Sequence, residues 1–269
     1  MRASEAVRIK YDSKFAQSAN YWKNSIGMNK CIDSIGLIAQ KQRYEDIIRH
    51  WQDSTSYLKG QLDFVKMARL YNERFEPRKA AMYFQETFLR TNELTDRALK
   101  ALTSMTKKDK KGDYVTFADN SNTWDASLDK DVQAVLLKNY REHVGHRYLP
   151  KFYATIDQRF GGDYQRFVDD LYARSIVMKK GAKLFFNTKA YKEDPGVRFG
   201  QDIMDIYYDL TEGMGAINDT IEAQERYLCA AKLRMEEDMP HYSDANFTMR
   251  LSYGQVKGFS IGGRELGYY

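Results

Sequence analysis

The stretch IMDIYYDLTEGMGAINDTIEAQERYLCAAKLRM, residues 203–235, decides the fold class. Ile203, Ile206, Leu210, Met214, Ile217, Ile221, Gln224, Leu228, Ala231 and Met235 alternate steps of three and four, with Gln224 as the one polar interruption. Apolar side chains at that spacing fall on one stripe of an α-helix, so the pattern predicts a single very long amphipathic helix. Asp194-Pro195 gives the start signal, a capping side chain followed by a proline whose missing N–H costs nothing in the first turn. Pro240 closes the helix. Gly213 and Gly215 inside it weaken a helix by about 1 kcal/mol each relative to alanine, and the expectation is that a neighbouring backbone packs closely there.

Outward from this helix the same period recurs. Tyr44, Ile47, Ile48 and Trp51 form one stripe, Leu94, Ala98, Leu102 and Met105 a second, and Val132, Val135, Leu136 and Tyr140 a third. Asp129 and Asp131 sit early in the last, where acidic side chains favour a helix start. Pro77 and Pro150 are expected to precede helices. Loops are expected over 109–125, around Gly161-Gly162 and between Asn187 and Gly196, where glycine, asparagine and aspartate cluster. No internal repeat of fixed period is visible. The expectation is a mainly α, multi-helix domain over residues 1–242 and a short strand-forming segment over 243–269.

In that last segment Phe247, Met249, Leu251 and Tyr253 alternate with Thr248, Arg250 and Ser252, the period of a strand. A strand following a helical chain has no sheet to join and leaves its backbone unpaired, so its partners are expected outside this sequence. Gly258-Phe259-Ser260-Ile261-Gly262 matches the G-x-S-x-G pattern of a nucleophile elbow. No helical pattern and no histidine follow Ser260, so the match reads as chance in a glycine-rich loop.

Composition excludes more than it assigns. At 269 residues the chain can bury a core without disulfide or metal staples. Its net charge of +5 is spread over 42 basic and 37 acidic residues, a mixed solvated surface with no face for nucleic acid. The basic run Lys107-Lys108-Asp109-Lys110-Lys111 suits the exit of a helix. No run approaches the roughly 20 apolar residues of a membrane span. Cys31 and Cys229 lack metal or redox spacing and read as buried thiols. His143 and His146 have no third ligand at recognisable spacing, so no metal and no cofactor is expected.

The densest polar and aromatic run is Ser18-Ala19-Asn20-Tyr21-Trp22-Lys23-Asn24-Ser25-Ile26-Gly27-Met28-Asn29. Asn20, Asn24 and Gly27 follow steps of four and three, which places them on one helix face as a small amide-lined notch. An asparagine offers both a carbonyl acceptor and an amide donor, suited to a free ammonium or a terminal peptide unit. On spacing alone the plainer reading is that the amides satisfy neighbouring helix ends and Trp22 is core.

That run, with Phe160-Gly161-Gly162-Asp163-Tyr164 and Asp244-Ala245-Asn246-Phe247-Thr248-Met249-Arg250-Leu251, resembles the bacterial serine dipeptidyl peptidases of the dipeptidyl peptidase seven and eleven family, in the same order and across the whole chain. The resemblance implies a chymotrypsin-like double β-barrel carrying a His-Asp-Ser triad outside these residues. This chain would be the helical cap inserted between the barrel halves, with no catalytic residue of its own. It implies peptide substrates with a free N-terminus, whose α-ammonium is held at the position matching Asn24, with Asn20, Tyr21 and Trp22 as further candidates. A periplasmic or cell-surface setting and a homodimeric parent are implied in the same way. A different class of reading is a helical protein–protein interaction scaffold, docking a partner through Tyr21 and Trp22.

Overall fold

The computed structural model describes residues 4–90, 93–106, 124–178, 192–241, 249, 251 and 253–267, without the side chains of 104–106. Eight α-helices are present among them: α1 (Glu5–Ser34), α2 (Leu37–Thr55), α3 (Phe64–Phe84), α4 (Glu93–Thr106), α5 (Ala126–His143), α6 (Phe152–Phe160), α7 (Tyr164–Arg174) and α8 (Pro195–Met235). A π-helical turn, Gln85–Leu89, extends α3, and 3-10 turns occupy His146–Tyr148 and Ile176–Met178. The mainly α class expected from the sequence is the class observed, and no helix is long and apolar enough to cross a membrane among the described residues.

The 41-residue α8 is the spine. The Asp194 carboxylate caps it by accepting from the amides of Gly196 (2.9 Å) and Val197 (3.0 Å), and accepts as well from the Ser175 hydroxyl (2.7 Å) and the Ile176 amide (2.7 Å). One buried side chain thereby satisfies orphan donors of the helix start and pins the preceding 3-10 turn to it. Close backbone approach occurs at this end. A Cβ on Gly196 would lie 2.3 Å from Ser175 Oγ, and one on Gly200 2.9 Å from the Ala98 Cβ of α4. At Gly213 and Gly215, where close packing was expected, nothing among the described residues lies within 4 Å of a built Cβ.

Two separate cores lie along the spine. The larger joins the second half of α3 to α4, α5, α6, α7 and the first turns of α8, through Val197, Phe199, Ile203, Ile206 and Leu210. Its centre is aromatic: Phe88 meets Phe84 at 5.1 Å and Tyr140 at 5.0 Å between ring centroids, tilted and edge-on, arrangements that satisfy the ring quadrupoles. The smaller joins Ile48 of α2, Leu62 and Met67 to Ala231, with Tyr44, Trp51, Tyr227 and Leu228 packed around them. Gln224, the polar break in the stripe, belongs here: its amide accepts from the Asp63 amide and donates to the Gln61 carbonyl, both at 2.9 Å, closing the turn between α2 and α3.

Several expectations are corrected. Pro77 lies inside α3 rather than ahead of a helix. Its missing N–H forfeits one backbone bond, and its ring is buried. On α5 the inward face is Gln133, Ala134, Leu137 and Tyr140, leaving Val135 exposed, because Tyr140 anchors a stripe one position round from the one read. Both cysteines are exposed. Ile47 faces solvent beside the buried Ile48. The Gly161-Gly162 turn between α6 and α7 is as expected, with φ of 62° and 83°. The basic run at 107–111 lies outside the described residues.

The short β segment expected over 243–269 is present, though its strands lie later than the alternation at Phe247–Tyr253. Residues 246–248, 250 and 252 lie outside the described residues, and Met249, Leu251 and Tyr253 are exposed and carry no strand pairing. Strands form later: β1 (Phe259–Ile261) and β2 (Arg264–Leu266) pair antiparallel with each other, Ser260 opposite Glu265. The turn Gly262-Gly263 has positive φ at both positions, the geometry of a two-residue hairpin. All six strand residues are exposed.

Candidate functional site

Helix α1 runs for 30 residues without one buried side chain. Apolar and polar residues are dealt round all its sides, so no stripe docks it on a core. Ser4 caps its start by accepting from the Val7 amide, and Gly36, at φ 62°, turns the chain into α2. On one face Ser13, Ala16, Gln17, Asn20, Tyr21 and Asn24 line a shallow, open groove. Ser13, Gln17, Asn20 and Asn24 are four, three and four residues apart, which stacks them one above another along the helix.

The sequence-derived candidates therefore divide. Asn20, Tyr21 and Asn24 share the groove; Trp22, two residues from each asparagine, points about 200° round the helix from them and does not line it. Trp22 is also 67% exposed, so it is not core. Nor do the amides cap neighbouring helix ends: the bond found for Asn24 is a weak one from Nδ2 to Met28 Sδ at 3.9 Å, leaving its carbonyl oxygen uncommitted. Gln17 and Ser13 escaped the sequence reading. Continuing the four-and-three steps of Asn20 and Asn24 toward the N-terminus reaches both.

Among the described residues no carboxylate, imidazole or amine lines the groove. It can therefore direct neutral carbonyl and amide groups at a ligand, and it carries no acid–base pair for bond breaking. Elsewhere no cluster of histidine, cysteine, aspartate and glutamate suited to a metal occurs among the described residues. His143 stacks on Tyr83 at 5.2 Å and shares a hydrogen bond with the Asn139 carbonyl. Ser260 stands in a hairpin strand, without the strand–turn–helix setting of a nucleophile elbow.

One end of α1 is tied to the larger core through the start of α5. Lys10 Nζ donates to the Trp124 carbonyl at 3.4 Å, and the Tyr11 hydroxyl accepts from the Asp125 amide at 2.8 Å. Beneath this contact is a buried polar network. Asp129 accepts from the Tyr172 hydroxyl and, at 3.3 Å, from the Glu93 amide. Arg97, 3% exposed, pairs with Glu93 at 2.9 Å and lies over the Trp124 ring at 5.1 Å. Burial pushes the Asp129 carboxyl above its usual range despite those two hydrogen bonds, since desolvation penalises the charged form. Burial likewise raises Tyr11.

Comparison with known proteins supplies the class. A model of the Peptidase S46 family matches residues 1–269, and the chain belongs to that family. It is 31% identical, over 96% of its length, to Dipeptidyl-peptidase 7 of Porphyromonas gingivalis, and 29% identical, over 97%, to the Asp/Glu-specific dipeptidyl-peptidase of the same organism. A crystal structure of Porphyromonas endodontalis DPP11 shares the fold, with a TM-score of 0.72 over 99% of this chain and 40% of that one, at 20% identity. The chain spans 38% of the length of each of these two curated relatives.

Proposed function

We infer that this chain is the helical, substrate-capping part of a serine-type dipeptidyl aminopeptidase, and that the outward face of α1 holds the free α-ammonium of the peptide. The observation that carries the reading is the exposed amide groove, with an Asn24 carbonyl committed to no other group. Amide carbonyls accept directionally from an ammonium. Fixing the amine at one end sets the second peptide bond over a nucleophile supplied by the rest of the polypeptide, which is a contribution of position and not of bond chemistry. Relatives named as dipeptidyl peptidases support the reaction class. Such an enzyme would act on peptides outside the cytoplasm, in the periplasm or at the cell surface, and a dimeric parent is compatible with it.

In the complete protein, Asn24→Ala is expected to lower kcat/KM for free-amine dipeptidyl substrates by about 10- to 100-fold, the equivalent of one hydrogen bond to a charged group at roughly 1.5–3 kcal/mol. Folding stability should be unchanged. Wild-type kinetics in the variant would remove Asn24 from the site. The 269-residue chain by itself is expected to leave dipeptidyl fluorogenic substrates intact.

A second reading has its own observation. Phe15 and Trp22, seven residues apart, are 61% and 67% exposed on the side of α1 away from the groove, an aromatic face suited to protein docking. The scaffold reading requires Trp22→Ala to abolish a partner complex while peptide hydrolysis by the complete protein is untouched.

A further inference from the structure

Between its two cores α8 passes through ten residues, Thr211 to Thr220, none of them buried. Gly213 and Gly215 stand in this stretch with nothing among the described residues within 4 Å of a built Cβ, so no described neighbour accounts for either glycine by packing. Helix α3 makes the same crossing beside it, antiparallel, and has its own unburied interval between Leu70 and Pro77. The register between the two helices is fixed by three contacts. The Tyr71 hydroxyl donates to Glu225, Arg74 Nη1 donates to Asn218 Oδ1 at 3.3 Å, and the Phe84 and Tyr207 rings lie 6.2 Å apart. Interpolated along that register, Pro77 falls level with Gly213–Gly215. One strut of the crossing thus lacks a backbone hydrogen bond where the other carries two residues that relax helical restraint.

We propose that this crossing is a hinge inside the helical domain: the lobe formed by α2, the start of α3 and the end of α8 swings against the larger aromatic-cored lobe about Pro77 and Gly213–Gly215. Within the crossing Met214 and Ile217 are only half-buried and the Arg74–Asn218 hydrogen bond joins α3 to α8, with Tyr71–Glu225 just beyond it; such contacts tolerate a change of angle better than a fully interlocked apolar core does. Helix α1 spans the two lobes. Its C-terminal end turns into α2 at Gly36, while its N-terminal part is bonded to the larger lobe through Lys10 and Tyr11. The groove from Ser13 to Asn24 lies between these attachments, so the hinge angle sets where its amides stand relative to each lobe.

The test is a distance measurement between spin labels in the complete protein, with Cys229 retained as the single native cysteine and Arg166→Cys added. Both positions are exposed, Cys229 beyond the crossing and Arg166 on α7 in the larger lobe. The wild-type distribution is expected to be broad. Gly213→Ala/Gly215→Ala, whose methyls have room, should narrow it about twofold, because alanine restores helical stiffness at both positions. Gly27→Ala, an equally unhindered replacement in α1, should leave it broad. A wild-type distribution as narrow as that of the double variant, or equal narrowing by Gly27→Ala, would overturn the hinge. Since the readout involves no peptide, its failure would leave the assignment of the amine site standing.

Discussion

Helices α8 and α1 are the two longest elements and opposites in construction. Ten of the 41 residues of α8 are buried, whereas none of the 30 of α1 is. An isolated helix is marginal in water without a face to bury, so α1 holds its place through its connection to α2 and two hydrogen bonds at the other end. The difference separates framework from working surface: on α8 side chains are chosen by what they pack against, on α1 by what they present. The sharpest way to break this contrast is a matched pair of phenylalanine deletions. Phe88→Ala, 1% exposed inside the aromatic cluster, is expected to cost about 3–5 kcal/mol in urea or guanidinium unfolding. Phe15→Ala, 61% exposed on α1, should stay within about 0.5 kcal/mol of wild type. Comparable losses would mean that α1 is packed after all.

The next effect tests whether the smaller core relies on one polar residue. Gln224→Leu keeps the volume and removes both bonds of the side chain, leaving the Asp63 amide and the Gln61 carbonyl without them in a turn that is exposed except at Leu62. Because water can reach this turn, each lost bond is expected to cost about 0.5–1.5 kcal/mol, the net worth of an ordinary hydrogen bond. The loss should appear as earlier hydrogen exchange in α2 and the α2–α3 turn, with α5 to α7 protected as before. Uniform loss of protection throughout the chain would show that the two cores unfold as one.

Gln224 and Pro77 also mark what the sequence could and could not reveal. The α8 stripe was legible because the apolar period persists through both cores, and a lone glutamine in it was visible as an interruption. Its bonding was not, since its partners lie about 160 residues away. Pro77 misleads because a proline whose ring is buried can remain within a helix, and burial is a tertiary property. Alternation at 247–253 suggested a strand that the described Met249, Leu251 and Tyr253 do not form, while the Gly262-Gly263 turn, a true hairpin signal, went unread. The amide groove was half legible: the step from Asn20 to Asn24 is local and survives into the structure, but the side on which Trp22 stands follows from applying the same helical angle to it. The exposure of that whole helix could not be read from its apolar content, because the content is ample and merely unaligned.

The polar latch under Tyr11 gives a smaller effect with a definite sign. The folded-state pKa of Asp129 is raised by burial, so the native protein binds a proton more readily than the unfolded chain does. Stability linked to this group is therefore greatest below the ordinary aspartate value of 3.8, falls as pH rises from there through the raised value, and is flat above it. Asp129→Asn cannot titrate. The stability difference between wild type and variant should fall with rising pH from the ordinary aspartate range upward and then level off, and a difference that does not change with pH would place the titrating group elsewhere.

The smallest effect lies within α8 itself and turns on glycines of opposite kind. Gly200 sits where a Cβ would come within 2.9 Å of Ala98, so Gly200→Ala must force α4 and α8 apart and is expected to destabilise by about 1–3 kcal/mol. Gly213, with open space around it, gains helix propensity on replacement, and Gly213→Ala should stabilise by about 0.5–1 kcal/mol. Thermal or urea unfolding of the two single variants decides the matter by sign alone. If Gly213→Ala also destabilises, then something packs against the crossing that the described residues do not supply. The open interval of α8 would then be a contact surface, and its glycines would be accounted for by close approach, as they are at Gly196 and Gly200.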